Sequence, residues 1–178
     1  MKRLYAFDFD GTLTTADTLL AFIRYACGTW RFIVGFLLHS PLLVLMKLKL
    51  YPNYRAKQRI FAWYFRGMEL KTFDALCRQF AERNACLIRP KAKALLERLF
   101  SEGESVCVVS ASIDNWVRPF FTNMATNSRS NFCVLGTQVE ADDNGLLTGR
   151  FLTNNCYGAE KVERLCKQYP DLTVHRND

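Results

Sequence analysis

A short apolar run, Arg3-Leu-Tyr-Ala-Phe7, stops abruptly at Asp8-Phe9-Asp10-Gly11-Thr12, and no comparable strand signal returns until Ser105-Val-Cys-Val-Val109. The first run reads as a buried strand that delivers polar groups at its C-terminal end. Between the two, from Asp17 to about Gly103, apolar residues recur at helical spacing. Leu19, Leu20, Phe22, Ile23 and Ala26 precede Gly28; Phe73, Leu76, Cys77 and Phe80 follow; Ala94, Leu95 and Leu99 precede Gly103. Beyond Val109, Ser110-Ala-Ser112 leads into a helix carrying Trp116, Val117 and Phe120, and Phe132 to Leu135 is another apolar run. Gln138–Glu140 and Gly149–Leu152 flank Asp142-Asp-Asn-Gly145 as a β-hairpin; Ala159–Gln168 reads as a helix and Leu172–Val174 as the start of a strand. This order predicts an α/β fold, a parallel-sheet core over 1–16 and 104–178 with a helical cap inserted at 17–103. Ligands of such sheets bind at the carboxyl ends of the strands, where Asp8 and Ser110 both fall.

The chain is long enough, at 178 residues, for one domain with a substantial core, and 49% hydrophobic residues exclude a disordered tail or polar linker. A formal charge of +7 permits anionic partners without selecting one. The seven cysteines are scattered without a C-x-x-C pair, which excludes a disulfide scaffold and a zinc module. No basic-then-apolar leader opens the sequence, so the expectation is a cytoplasmic protein whose thiols are reduced and mostly packed. Trp30, Trp63, Trp116 and the phenylalanines sit at helical spacing and read as core, so no nucleic-acid partner is expected. His39 and His175 have no neighbours that suggest metal ligation.

Asp8 and Asp10 are the chemically informative pair. Two carboxylates this close need a cation or a proton between them. Magnesium, which takes oxygen ligands and keeps several waters, resolves the conflict. Gly11 permits the tight turn that aims backbone N–H groups at an anion. A helix–loop–helix calcium site fails, because Asp8 follows a strand and the twelfth loop position is Leu19 rather than Glu.

Asp8-Phe-Asp-Gly-Thr-Leu13 resembles the first motif of the haloacid dehalogenase-like (HAD) phosphatases. Val108-Val-Ser110 resembles their second motif and Gly158-Ala-Glu-Lys161 their Lys-bearing third. A helical insertion between the first two resembles the cap of the phosphoserine-phosphatase-like branch. The resemblance implies a Rossmann-like core and a magnesium-dependent phosphomonoester hydrolase. Asp8 would be the nucleophile that forms an aspartyl-phosphate, and Asp10 the general acid and then base. Ser110 would bind the phosphoryl group, Lys161 would offset its charge, and Phe9, Gly11, Thr12 and Ala111 would complete the phosphate site. Asp8 and the backbone carbonyl of Asp10 would hold the metal. The same family places a further acidic motif on the strand after the Lys helix. The only later acids here are Glu163, Asp171 and Asp178, none in the expected context. The resemblance therefore leads us to expect a core incomplete at its C-terminal side, weak magnesium binding and weak activity. The alternative is a catalytically silent phosphate-binding or membrane-associated protein.

The cap holds an unusually apolar stretch, Phe32 to Leu38 and Leu42 to Met46 around His39-Ser40-Pro41, with Arg24 and Arg31 before it and Lys47, Lys49, Arg55, Lys57 and Arg59 after it. It is short for a bilayer span, and Pro41 is expected to break it. The leading reading is two cap helices that bury their apolar faces on each other. The second is an element lying on anionic lipid at the inner face of a membrane. The texture resembles the caps of phosphatidylglycerophosphatase C-type enzymes, which implies a lipid phosphate monoester; a small phosphate monoester such as phosphoserine is the competing substrate.

Overall fold

Leu4–Phe7 form β1 and Ser105–Ile113 form β2; the two pair in parallel with Phe7 opposite Val108. β3, Phe132–Thr137, pairs in parallel with the other side of β2, giving a sheet in the order β1-β2-β3. β2 is buried from Val106 to Ser110, as befits a central strand covered on both faces. The computed structural model describes residues 3–126, 131–154, 156 and 158–170. The expected strand Leu172–Val174, together with Asn155, Asp171, His175 and Asp178, lies outside the described residues.

The residues between β1 and β2 form five helices: α1 (Thr18–Cys27), α2 (Thr29–Lys47), α3 (Asn53–Phe65), α4 (Leu70–Arg83) and α5 (Pro90–Ser101). α1 starts where the Asp17 carboxylate accepts the Leu19 N–H at 2.9 Å, the usual side-chain cap. The apolar faces of α1, α3 and α4 meet in an aromatic cluster centred on Phe22, whose ring lies 5.3–5.6 Å from Phe65, Phe73 and Phe80. α5 packs instead on the sheet, with Phe100 5.5 Å from Phe132. The two connections between cap and sheet are laced together. Thr15 N–H donates to Leu87 O and Arg89 N–H to Leu13 O, while the Arg89 guanidinium donates to Thr14 O at 3.0 Å and Gly11 O at 3.2 Å.

α2 overturns the leading reading of the apolar stretch. It is a single helix of 19 residues that continues through Pro41, and Gly35 is its one buried residue. Proline removes the N–H that would bond the carbonyl four residues back. Here that carbonyl belongs to Leu37, and the Ser40 hydroxyl donates to it at 2.8 Å, so the acceptor is not orphaned. One side of α2 leans on α3, where Gly35 allows backbone to approach Tyr64, whose hydroxyl donates to Phe32 O at 3.0 Å. The outer side is exposed: Trp30 at 78%, Leu37 at 65% and Leu38 at 62%. Trp30 is thus not core, whereas Trp116 is fully buried.

After β2 the expected helix is broken into pieces: α6 (Asp114–Val117), a 3₁₀ turn Arg118–Phe121 containing Pro119, and α7 (Thr122–Thr126). The hairpin forms as read, with β4 (Val139–Ala141) antiparallel to β5 (Leu147–Phe151). Its turn is held by the Asp142 carboxylate, which accepts the N–H groups of Asn144 and Leu146. β5 packs on α3: Gly149 fits so closely against Ala62 that a Cβ there would lie 2.7 Å from the alanine methyl, and Phe151 N–H donates to the Gln58 side chain. α8 spans Ala159–Gln168.

Candidate active site

The chain leaves the sheet after Phe7 into a tight loop, Phe9–Leu13, closed by Thr14 N–H donating to Phe9 O at 3.1 Å. Gly11 takes φ +75°, the left-handed conformation that glycine adopts without penalty. Phe9 and Leu13 anchor the loop in the core, with the Phe9 ring 5.5 and 5.8 Å from Phe120 and Phe121. Asp8, Gly11 and Thr12 stay exposed at the strand end. The loop is therefore rigid behind and open in front.

Asp8 meets Lys161 from the far end of the chain: Lys161 Nζ lies 2.7 Å from Asp8 Oδ1, which also accepts the Phe9 N–H at 2.8 Å. Arg164, three residues further along α8, anchors the helix that carries Lys161. The Arg164 guanidinium pairs with Glu160 at 2.8 Å and donates to Gly136 O at 2.6 Å and Asn154 O at 2.5 Å, tying α8 to the end of β3.

Asp10 is oriented at both oxygens. Oδ1 accepts the Thr18 N–H at 2.8 Å and its hydroxyl at 2.7 Å; Oδ2 accepts the Ser112 hydroxyl at 2.5 Å. Trp116 Nε1–H donates in turn to Thr18 Oγ1 at 3.3 Å. The first turn of the cap and the end of β2 thus grip one carboxylate between them.

Ser110 is fully buried within β2, where its hydroxyl accepts the Ser112 N–H at 3.0 Å; it caps no helix, since α6 begins at Asp114. Ala111 sits beside it, its carbonyl accepting the Thr137 hydroxyl at 3.2 Å. Gly11 N–H donates to Thr14 Oγ1 at 3.3 Å. Cys156, ahead of the Lys helix, is buried against Cys107 and Val109, and burial pushes its thiol above the usual range. Sequence reasoning missed Thr18, Ser112, Trp116, Arg89 and Arg164. Two of these left a signal: Asp17-Thr18 is a helix-start pattern, and Ser112 follows Ser110 by one strand period.

A metal ion here would draw on few protein groups. Among the described residues no trio of His, Cys, Asp or Glu is placed to hold one. Asp10 spends both carboxylate oxygens on Thr18 and Ser112, whereas Asp8 Oδ2 has no hydrogen-bond partner among the described residues. One carboxylate and the Asp10 backbone carbonyl suit a largely hydrated magnesium ion, and not a metal that demands three or four side-chain ligands.

The profile of the haloacid dehalogenase-like hydrolases matches residues 5–174. Protein CicA from Caulobacter vibrioides is 33% identical over 176 residues, covering 96% of this chain and 75% of that protein. Among solved structures, a protein of unknown function from Bordetella pertussis Tohama I superposes with a TM-score of 0.77 at 16% identity, covering 96% of this chain and 75% of that one. A phosphoserine phosphohydrolase-like protein from Francisella tularensis gives 0.65 at 15% identity, covering 98% and 75%. A substrate-bound phosphoserine phosphatase gives 0.57 at 17%, covering 96% and 73%.

Proposed function

The chain belongs to the haloacid dehalogenase-like hydrolases, and from that premise we propose that it is a magnesium-dependent phosphomonoester hydrolase working through a phosphorylated Asp8. The observation that carries the reading is the 2.7 Å pairing of Asp8 with Lys161, two motifs from opposite ends of the chain converging on one carboxylate. In the first half-reaction an Asp8 oxygen attacks phosphorus, the ester P–O bond breaks, and Asp10 gives its proton to the leaving alcohol. In the second, Asp10 takes a proton from water, whose oxygen attacks the acyl phosphate; inorganic phosphate leaves and Asp8 is restored. Thr18 and Ser112 hold Asp10 toward the leaving group in both steps. Lys161 offsets the phosphoryl charge at the open front of the Phe9–Leu13 loop, with Ser110 and Ala111 shaping the wall behind. Asp8 and the Asp10 carbonyl would hold magnesium, which when bound screens the repulsion between carboxylate and phosphate.

This reading predicts that inorganic phosphate is released from a simple aryl phosphate only in the presence of magnesium. Chelation should bring the rate to background, and added magnesium should restore it. Undiminished turnover after chelation would contradict the metal assignment, and no turnover with saturating magnesium would favour a silent phosphate-binding protein.

A lipid phosphate is the substrate we favour over a small polar one, because of α2. By length and composition the helix is apolar enough to cross a bilayer, with a mean hydropathy of 1.5. Its inner face is nevertheless engaged with α3, which suits a helix lying on a membrane rather than through it. Arg24 and Arg31 near one end of the helix and Lys47 and Lys49 at the other supply the positive charge that anionic headgroups would attract. Behind α2, a groove of about 340 Å³ lined by Leu20, Ile23, Phe32, Phe36, Leu43 and Ile60 offers apolar room beside the site. Co-sedimentation with vesicles containing anionic phospholipid is the expected result, weakened by salt and by Trp30→Ser/Leu37→Ser; equal recovery without vesicles would sink the idea.

A further inference from the structure

Two thiols in the sheet have no part in the proposed chemistry. Cys107 on β2 and Cys133 on β3 are direct partners in the parallel pairing, so their side chains share one face of the sheet. Paired strands run about 4.8 Å apart, within the Cα separation of about 4.4–6.8 Å that a disulfide bridges. Their Sγ atoms lie 2.7 Å apart, yet all seven cysteines of the chain are free thiols. Cys107 is fully buried and Cys133 half-buried, so Cys133 is the member of the pair within reach of a small oxidant.

The pair is also polarised. The hydroxyl of Tyr169, the residue that ends α8, donates to Cys133 Sγ at 3.3 Å. A single negative charge on the pair therefore settles on Cys133, which then accepts from Tyr169 and from the proton left on Cys107. The hydrogen bond from Cys107 first, then the Tyr169 hydroxyl and the Arg118 charge, pull the Cys133 thiol down to about 7 against its burial. The same contact, together with burial, pushes Cys107 up. Burial pushes up Cys27, Cys77 and Cys156 as well. The thiolate, not the thiol, is the nucleophile in sulfur chemistry, so Cys133 is the attacking sulfur and Cys107 a second sulfur already at contact distance. Leu4, Leu135 and Leu165 pack around them.

We propose that Cys107 and Cys133 are a site of reversible oxidation by a small hydroperoxide, the product being a disulfide that ties β2 to β3. The Cys133 thiolate attacks one peroxide oxygen and the O–O bond breaks, leaving a sulfenic acid and a hydroxide that takes up a proton. The Cys107 sulfur then attacks the sulfenic sulfur; the S–O bond breaks and the oxygen leaves as water, carrying the Cys107 proton. Two thiols lose two electrons, and one hydrogen peroxide is reduced to two waters. The inference stands independently of the phosphatase reading.

The test treats the reduced protein, freed of reductant, with one equivalent of hydrogen peroxide. Remaining thiols are alkylated, the protein is digested without reduction, and linked peptides are identified by mass spectrometry. Two of the seven thiols should be lost, a single linked species should join the Cys107 and Cys133 peptides within one chain, and dithiothreitol should return both thiols. In Cys107→Ala the reaction should stop at a Cys133 sulfenic acid, captured by dimedone. A Cys133 that stays fully alkylatable after peroxide would overturn the assignment, as would a bridge to any other cysteine or between two chains. Dimedone carried by exposed Cys86 or Cys166 in place of Cys133 would overturn it too.

Discussion

Asp8→Asn is expected to abolish turnover, lowering kcat by on the order of 10⁴-fold or more, while leaving the fold intact. The amide is nearly isosteric and its oxygen can still accept the Phe9 N–H, so the loop keeps its local tether. What it cannot do is displace an alcohol from phosphorus. The lost ion pair with Lys161 costs little stability, because the Asp8 side chain is 45% exposed and pairs in that setting contribute about 1 kcal/mol or less. Circular dichroism should show a melting temperature within a few degrees of wild type. Retained phosphatase activity in this variant would remove Asp8 from the mechanism.

Phe22→Ala should be the most destabilising single change in the cap, at about 3–5 kcal/mol, from lost burial plus the cavity left behind. The ring is fully buried and contacts three cap aromatics; it also stacks on Trp116 at 4.9 Å. For a chain of this size that corresponds to a fall of about 10 °C in melting temperature, measured by calorimetry. Trp116 donates to Thr18, and Thr18 to Asp10, so the cavity also loosens the carboxylate's support. Folded Phe22→Ala protein should therefore show a lower kcat. A loss of stability below 1 kcal/mol would mean that the cap repacks freely and does not grip the site.

Much of this was legible in the sequence, and the exceptions have physical reasons. β1, the helical insertion, the hairpin and α8 follow from local periodicity and turn residues. The meeting of Asp8 with Lys161 followed only from the order of three motifs in a resembling family, since nothing local links the two residues. The course of α2 was misread because proline was judged alone; the Ser40 hydroxyl that satisfies Leu37 O is a side-chain geometry no periodicity reveals. The outward face of α2 was hidden for a related reason, since an apolar helix buried in a cap and one facing a membrane share a composition. The contact of Ser112 with Asp10 depends on how β2 ends, where its pairing with β3 shifts register between Val109 and Ile113.

The most direct test of the central claim is to trap the phosphoenzyme. The protein is mixed with a ³²P-labelled phosphate monoester and magnesium, quenched in acid within the first turnovers, digested, and the labelled peptide located by mass spectrometry. The account predicts an acid-stable, hydroxylamine-labile label on Asp8, absent from Asp8→Asn. Label on another residue, or steady turnover with no label at all, would contradict it.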